Sequence, residues 1–340
     1  MADDRIVDML TELWQRVLKI PTIGPEMNFF EIGGDSESAI AIFRELTKIY
    51  GRELPAVTIF RAPTIIALAS LLASPAPLQK PSPILLMRSG PNNPPIFFAH
   101  GLGKDAMQIF PVIKHINLNH KIYGTQVCGI DGVQPPLDSI EDMADFYLQA
   151  IRRIQPQGPY FLIGYSFGGL VMLEIAQRLS SGGQRIGFLS MLDSYPHRAH
   201  LQLAQQLSLF IQSATRRIRI NAIRRMLRVP DSGRRSDEHE NHSAFNIIQR
   251  RIYQGELRAL RRYQPRFYPG KVNFVQAEIP SHFPENARKV WTNLVADFEL
   301  ETAPGNHIEM ISFHYKTVAE LLTRNLVQAF RENRHGRVNQ

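Results

Sequence analysis

The stretch with the most chemistry in it is Gly164-Tyr165-Ser166-Phe167-Gly168, which follows one apolar run and opens another. A serine on a sharp strand-to-helix turn presents its hydroxyl as a nucleophile, and the flanking glycines remove side chains that would collide with neighbouring backbone. The Phe167 amide then stands at a helix N-terminus, aimed at negative charge developing on a reacting oxygen. A glycine-rich structural turn is the plainer use of the same residues. A serine nucleophile needs a base, and the base needs an orienting carboxylate. Asp193 ends the apolar run Ile186–Leu192, one helix and one strand beyond Ser166, so it is expected on the neighbouring strand end. Capping the next segment is its alternative role. Of the eleven histidines, His307 has the best placement. Gly305 and Asn306 allow a tight turn that projects it back over the strand ends. His282 and His314 are the nearest rivals and lack that placement. His100-Gly101-Leu102-Gly103 follows another strand, and the Leu102 amide is the candidate second oxyanion donor, with His100 shaping the loop. No Cys/His spacing fits a closed metal site. Gly101-Leu102-Gly103 lacks the third glycine of a dinucleotide fingerprint.

The elements that must hold these residues alternate. Strands are expected at Ile96–Ala99, Lys121–Val127, Tyr160–Ile163, Ile186–Leu192, Val272–Gln276 and Phe298–Thr302. Helices are expected at Ile140–Ile154, Leu170–Leu179 and Thr317–Phe330. That alternation implies a mostly parallel sheet covered by helices. Residues 197–270 are far longer than a normal connection and read as an inserted, mainly helical element. Arg331–Gln340 is polar and expected to fray.

Ahead of the sheet, the pattern is helical. Ile6, Met9, Leu10, Leu13, Val17 and Ile20 fall at three- and four-residue steps, and Ala39, Ile42, Phe43, Leu46 and Ile49 form a second stripe closed by Gly51. Pro63 is expected to open a third helix. The run Ser74-Pro-Ala-Pro-Leu-Gln-Lys-Pro-Ser-Pro83 suits a semi-extended spacer between two domains. Phe29-Phe30-Glu31-Ile32-Gly33-Gly34-Asp35-Ser36 leads into the second stripe. Taken alone, Asp35 or Ser36 is an N-cap. A helix N-terminus also suits a phosphate carried on the Ser36 hydroxyl.

Charge tests a different class of function. The 340 residues carry a formal net charge of +8, which by itself invites a nucleic-acid reading. Residues 1–74 carry a net −3, however, while residues 197–270 hold fifteen arginines, no lysine and five acids. The excess belongs to the inserted element. An amphipathic helical lid with a solvated basic face is one reading. Attraction of the acidic N-terminal unit, its phosphate or an anionic acyl chain is the sharper one. A binder of DNA or RNA would leave the Ser166 set unexplained. No apolar run is long enough to span a membrane. The acidic start and the single cysteine, Cys128, point to a reducing cytoplasm.

Residues 3–73 resemble an acyl or peptidyl carrier domain, on the Phe29–Ser36 run. Residues 84–332 resemble the type I thioesterase domain of nonribosomal peptide and polyketide synthetases. That likeness rests on Pro95–Gly101, Gly164–Gly169, Leu192-Asp193-Ser194 and Pro304-Gly305-Asn306-His307. The resemblance implies a small four-helix carrier bundle at 1–74, a linker at 75–83, an α/β-hydrolase domain at 84–332 with a lid near 197–270, and a flexible tail at 333–340. It implies 4′-phosphopantetheine on Ser36, a catalytic Ser166, Asp193 and His307, and oxyanion amides at Leu102 and Phe167. It also implies a phosphopantetheinyl transferase and an upstream synthetase or acyl-loading enzyme as partners, with an acyl or peptidyl substrate released by hydrolysis or cyclisation. Adenylation, condensation and ketosynthase domains have no counterpart in these residues, so the acyl group is expected from another protein. Lys104-Asp105-Ala106 departs from the family's usual small residue after the oxyanion loop. Transfer to a small acceptor, a general esterase and a non-catalytic docking module are the competing readings.

Overall fold

The computed structural model describes residues 4–51, 54–74, 82–130, 134–201, 244–280 and 286–335. Most of the proline-rich spacer, the lid between 202 and 243, and the last five residues of the tail lie outside the described residues.

The N-terminal unit is helical. Helix α1 (Asp4–Leu18) buries Leu10, Leu13 and Trp14 along the expected stripe. Helix α2 (Ser36–Tyr50) begins at Asp35, whose carboxylate accepts the Ser38 amide at 2.9 Å while Ser38 Oγ accepts the Asp35 amide at 2.8 Å. This reciprocal pair satisfies donors that a helix start otherwise leaves unmet. Gly51, at φ 61°, ends the helix by donating to the Thr47 carbonyl. A 3-10 turn at Ala56–Phe60 is the fourth helical element, before α3 (Ile65–Ala73). Pro63 does not open α3. The Thr64 hydroxyl accepts the Ala67 amide at 3.1 Å and sets the start.

Seven strands form one sheet in the order β1-β3-β2-β4-β5-β6-β7. They are β1 (Ile84–Arg88), β2 (Asn92–Ala99), β3 (His120–Thr125), β4 (Tyr160–Tyr165), β5 (Ile186–Leu192), β6 (Tyr268–Ile279) and β7 (Val295–Asn306). Only the edge strand β1 runs antiparallel. Helices cover both faces, which is why β4 is apolar throughout and buried at every position. These helices are α4 (Phe110–His115), α5 (Ile140–Ile154), α6 (Phe167–Ser181), α7 (Ala244–Arg262), α8 (Ala287–Trp291), α9 (Glu309–Ser312) and α10 (Tyr315–His335). The short β1, α4, α8 and α9 escape a periodicity reading because each is too brief to show a repeat. Of the expected frayed stretch Arg331–Gln340, the first five residues are instead helical, since α10 runs on through His335; residues 336–340 lie outside the described residues. Asn333 Nδ2 ties this last turn to the carbonyls of Ala329 at 2.7 Å and Gly187 at 3.1 Å.

In the described part of the lid, α7 buries Ile252, Gly255, Glu256 and Ala259, with Tyr263 buried just after it, and exposes Arg250, Arg251, Arg258, Arg261 and Arg262. That is an amphipathic helix with its arginines in solvent. The helical unit and the sheet domain share an aromatic contact. Phe110, buried on α4, lies 4.7 Å from the Phe30 ring and 5.3 Å from Phe60, which stack on each other at 4.8 Å.

Candidate active site

Ser166, Asp193 and His307 sit at the C-terminal ends of β4, β5 and β7, on one edge of the sheet. Ser166 occupies the bend between β4 and α6 at φ 55°, ψ −121°. A non-glycine residue held there costs of order 1–3 kcal/mol, and the surroundings must enforce it. They do so through Ser166 N–H to the Leu192 carbonyl at 2.8 Å and Gly169 N–H to the Ser166 carbonyl at 3.0 Å. Space at the bend admits only glycine. A Cβ on Gly164 would stand 2.3 Å from the Gly168 carbonyl oxygen, and one on Gly168 would stand 2.3 Å from that of His100. The Phe167 amide is the first of α6, among the N–H groups that a helix leaves without an intrahelical partner.

Asp193 also has positive φ, 47°, and is almost fully buried. Its Oδ1 accepts the Ala277 amide at 3.2 Å, and its Oδ2 lies 2.8 Å from His307 Nδ1. The carboxylate is thus fixed by β6 and aimed at the imidazole. Tyr165 holds the same histidine. Its hydroxyl donates to the His307 carbonyl at 2.7 Å, and its ring stacks at 4.9 Å. Burial, with the Asp193 charge adding to it, pushes the Tyr165 hydroxyl well above its usual range, so it stays a donor.

The loop after β2 is held from two sides. Gly101 N–H donates to Gln108 Oε1 at 2.8 Å, and Gly103 N–H donates to Glu256 Oε2 on α7. Leu102 stands between these anchored neighbours. His100 is buried with Nδ1 3.0 Å from the Gly101 carbonyl oxygen, and burial pushes it down to about 4. That contact ties the buried ring to the loop's own backbone. Lys104-Asp105 has a local use: Asp105 caps the 3-10 turn Ala106–Ile109 by accepting the Met107 amide at 2.9 Å. His314 leads into α10, its amide bonded to the Glu309 carbonyl at 2.9 Å, while His282 lies outside the described residues.

Ser36 is the first residue of α2; its side chain lies outside the described residues. Lys114 Nζ, on α4, donates to the Gly34 carbonyl at 3.4 Å. Burial would raise the Asp35 carboxyl, but the Ser38 hydrogen bonds and the Lys114 charge bring it below its ordinary value. The N-terminal end of a helix with a lysine nearby suits a phosphate group on this turn, although Asp35 already engages the Ser38 amide. Among the described residues, no cluster of His, Cys, Asp and Glu could hold a metal ion, and no helix is long and apolar enough to cross a membrane.

Residues 114–326 match the thioesterase domain family. The chain belongs to that family. Residues 8–72 ahead of this thioesterase domain match the phosphopantetheine attachment site family, whose members carry the cofactor covalently on a serine. A dimodular nonribosomal peptide synthase of Bacillus subtilis is 33% identical over 190 residues, covering 56% of this chain and 8% of the relative. Malpibaldin synthetase of Mortierella alpina is 35% identical over 200 residues, covering 57% of this chain and 4% of the relative. The chain therefore spans under a tenth of these curated relatives. Among solved structures, a holo four-domain nonribosomal peptide synthetase bound to AMP and glycine aligns with 95% of this chain and 26% of its own. Its TM-score is 0.59 at 22% identity. The type II thioesterase BorB of the borrelidin cluster aligns with 73% of this chain and 99% of its own, with TM-score 0.53 at 17% identity. These likenesses are of fold: a helical carrier region followed by the α/β-hydrolase type of thioesterase domain.

Sequence reasoning missed Tyr165 as a support of His307, Gln108 and Glu256 as anchors of the Leu102 loop, and Phe110 with Lys114 as contacts of the helical unit. Tyr165 lies inside the glycine-flanked motif. Glu256 has one sequence signal: it is the only acid between Glu240 and Glu278, in a segment otherwise rich in arginine.

Proposed function

We propose that this chain releases an acyl or peptidyl group from a carrier-bound thioester through an acyl ester on Ser166. The observation that carries the reading is the 2.8 Å contact of His307 Nδ1 with Asp193 Oδ2, beside a serine in a strained turn. With Nδ1 committed to Asp193, proton exchange falls to His307 Nε2. His307 takes the Ser166 proton as Oγ bonds to the acyl carbon. The Leu102 and Phe167 amides stabilise the oxyanion. The C–S bond breaks, and the proton passes from His307 to the departing thiolate. In the default second half, water attacks the ester, His307 accepts its proton, and that proton returns to Ser166 as the acid leaves. An internal hydroxyl or amine in place of water gives cyclisation, and an external acceptor gives transfer.

Ser36 is the proposed site of 4′-phosphopantetheine, with the positive end of the α2 dipole and Lys114 suited to its phosphate. That group supplies the thiol on which the acyl chain arrives. A phosphopantetheinyl transferase would install it, and an upstream synthetase or acyl-loading enzyme would supply the acyl group. The contact of Phe110 with Phe30 and Phe60 supports delivery within one chain, where tethering raises effective concentration.

The test is mass spectrometry of intact protein. Incubation with CoA and a phosphopantetheinyl transferase should add one phosphopantetheine, lost in Ser36→Ala. A fluorophosphonate should label the wild type and not Ser166→Ala. An unmodified Ser36, or labelling that persists in Ser166→Ala, refutes the corresponding assignment.

A further inference from the structure

The lid helix carries one acid that the reaction above leaves unused. Glu256 on α7 is 2% exposed, and its Oε2 accepts the N–H of Gly103 from 153 residues away in sequence. Gly103 adopts φ +67°, and a Cβ there would lie 2.6 Å from Tyr253 Cδ2. Two residues of one helix, Tyr253 and Glu256, therefore close on Gly103. On its other side the loop is tied through Gly101 to Gln108. The peptide bearing the Leu102 amide is thus strung between an anchor on the sheet domain and an anchor on the lid.

We propose that Glu256 is a positioning residue that fastens the oxyanion loop to the lid helix, so that the Leu102 amide is correctly aimed only while this helix is seated. The proposal rests on the acyl-transfer reading above. It makes the lid part of the catalytic geometry, beyond any covering role.

The charge state follows from the surroundings. Burial pushes the Glu256 carboxyl up to about 8, and the Gly103 hydrogen bond only partly offsets this. The ionisable groups that face it are Tyr147 on α5, with Cys128 after β3 close to Tyr147, while Lys104 and Asp105 follow Gly103 in sequence. Arg258 and Arg262 of the same helix turn outward to Asp138, each at 3.4 Å. A neutral carboxyl accepts the Gly103 amide without placing charge beside the hole. Once ionised, it sets a negative charge one residue from Leu102, where the oxyanion must form, and opposes it directly.

The full-length chain, with Glu256→Gln and Glu256→Ala, tests this by three readouts. These are the rate of Ser166 phosphonylation by a fluorophosphonate, kcat and KM for the octanoyl thioester of N-acetylcysteamine, and hydrogen exchange at the Gly103 amide. Glu256→Ala should speed Gly103 exchange and slow phosphonylation and kcat by about tenfold or more, with KM little changed. Glu256→Gln, whose amide oxygen still accepts, should keep the wild-type rate at neutral pH. A Glu256→Ala rate equal to wild type, or a Glu256→Gln rate as low as Glu256→Ala, overturns the proposal. If Glu256→Ala does not fold, Glu256→Met, similar in size but without a carboxyl acceptor for the Gly103 amide, takes its place in the same three readouts. A wild type that is never labelled at Ser166 refutes the acyl-transfer reading instead, while Gly103 exchange still judges the anchor.

Discussion

Tyr165 grips His307 at two points: its hydroxyl donates to the histidine's backbone carbonyl at 2.7 Å, and its ring lies 4.9 Å from the imidazole, 21° from parallel. Tyr165 is also the residue before Ser166, so the proposed nucleophile and base hang from one strand end. Tyr165→Phe keeps the stack and removes only the hydrogen bond. We expect a stability loss of about 1 kcal/mol, typical of one buried hydrogen bond, and a several-fold fall in kcat with KM unchanged. Urea unfolding and steady-state kinetics check both, and an unchanged kcat would show that the bond does not position the base.

Asp193→Asn isolates the next link. The side chain keeps its size, but the His307 ring loses the acceptor that fixes its tautomer. By analogy with serine proteases, kcat should fall roughly 10⁴-fold while thioester binding persists. Burst kinetics with an activated ester would locate the loss in acylation. A variant within tenfold of wild type would remove Asp193 from its proposed role.

The strand ends that carry Ser166 and Asp193 were legible because each follows a short apolar run, and that of His307 because Gly305 and Asn306 mark the turn before it. A two-sided parallel sheet needs such runs, and a bend with φ of 55° at Ser166 needs glycines around it. Helix stripes in the first 50 residues were equally open, since 3.6-residue periodicity needs only local sequence. What escaped depends on tertiary closure, which no repeat in the sequence marks. Gln108 and Glu256 reach the same loop from seven and 153 residues away, and no local pattern marks either contact. Phe29 and Phe30 look alike in sequence, yet Phe29 packs on Trp14 inside the helical unit, while Phe30 faces outward to Phe110. Only the placement of a second domain separates their roles.

That placement has its own test. Phe110→Ala removes the ring lying against Phe30 and Phe60 and should cost about 3 kcal/mol. By loosening the junction, it should split thermal unfolding into two transitions. Lys114→Glu is milder, because Lys114 is exposed and its contact with the Gly34 carbonyl is long. It should slow turnover of a group carried on the chain's own Ser36 by up to about fivefold at low salt, the range of an exposed charge pair. A free small-molecule thioester should turn over unchanged. Single-turnover assays with the two substrates make the comparison, and equal slowing of both would place the effect in the active site.

The Glu256 carboxyl also predicts how stability depends on pH. Its ordinary value is 4.5, and burial in the folded chain moves it to about 8. Below the first value the group is protonated in both states and contributes no pH dependence. Between the two, the unfolded chain releases the proton that the folded chain keeps, so its stability contribution falls steadily as pH rises. Above about 8 both states are ionised and the decline stops. Glu256→Gln has no proton to lose. Its stability relative to wild type should therefore grow across this window and level off beyond it. Urea unfolding at a series of pH values measures the difference, and parallel curves for the two proteins would show that Glu256 ionises in the fold as it does in water.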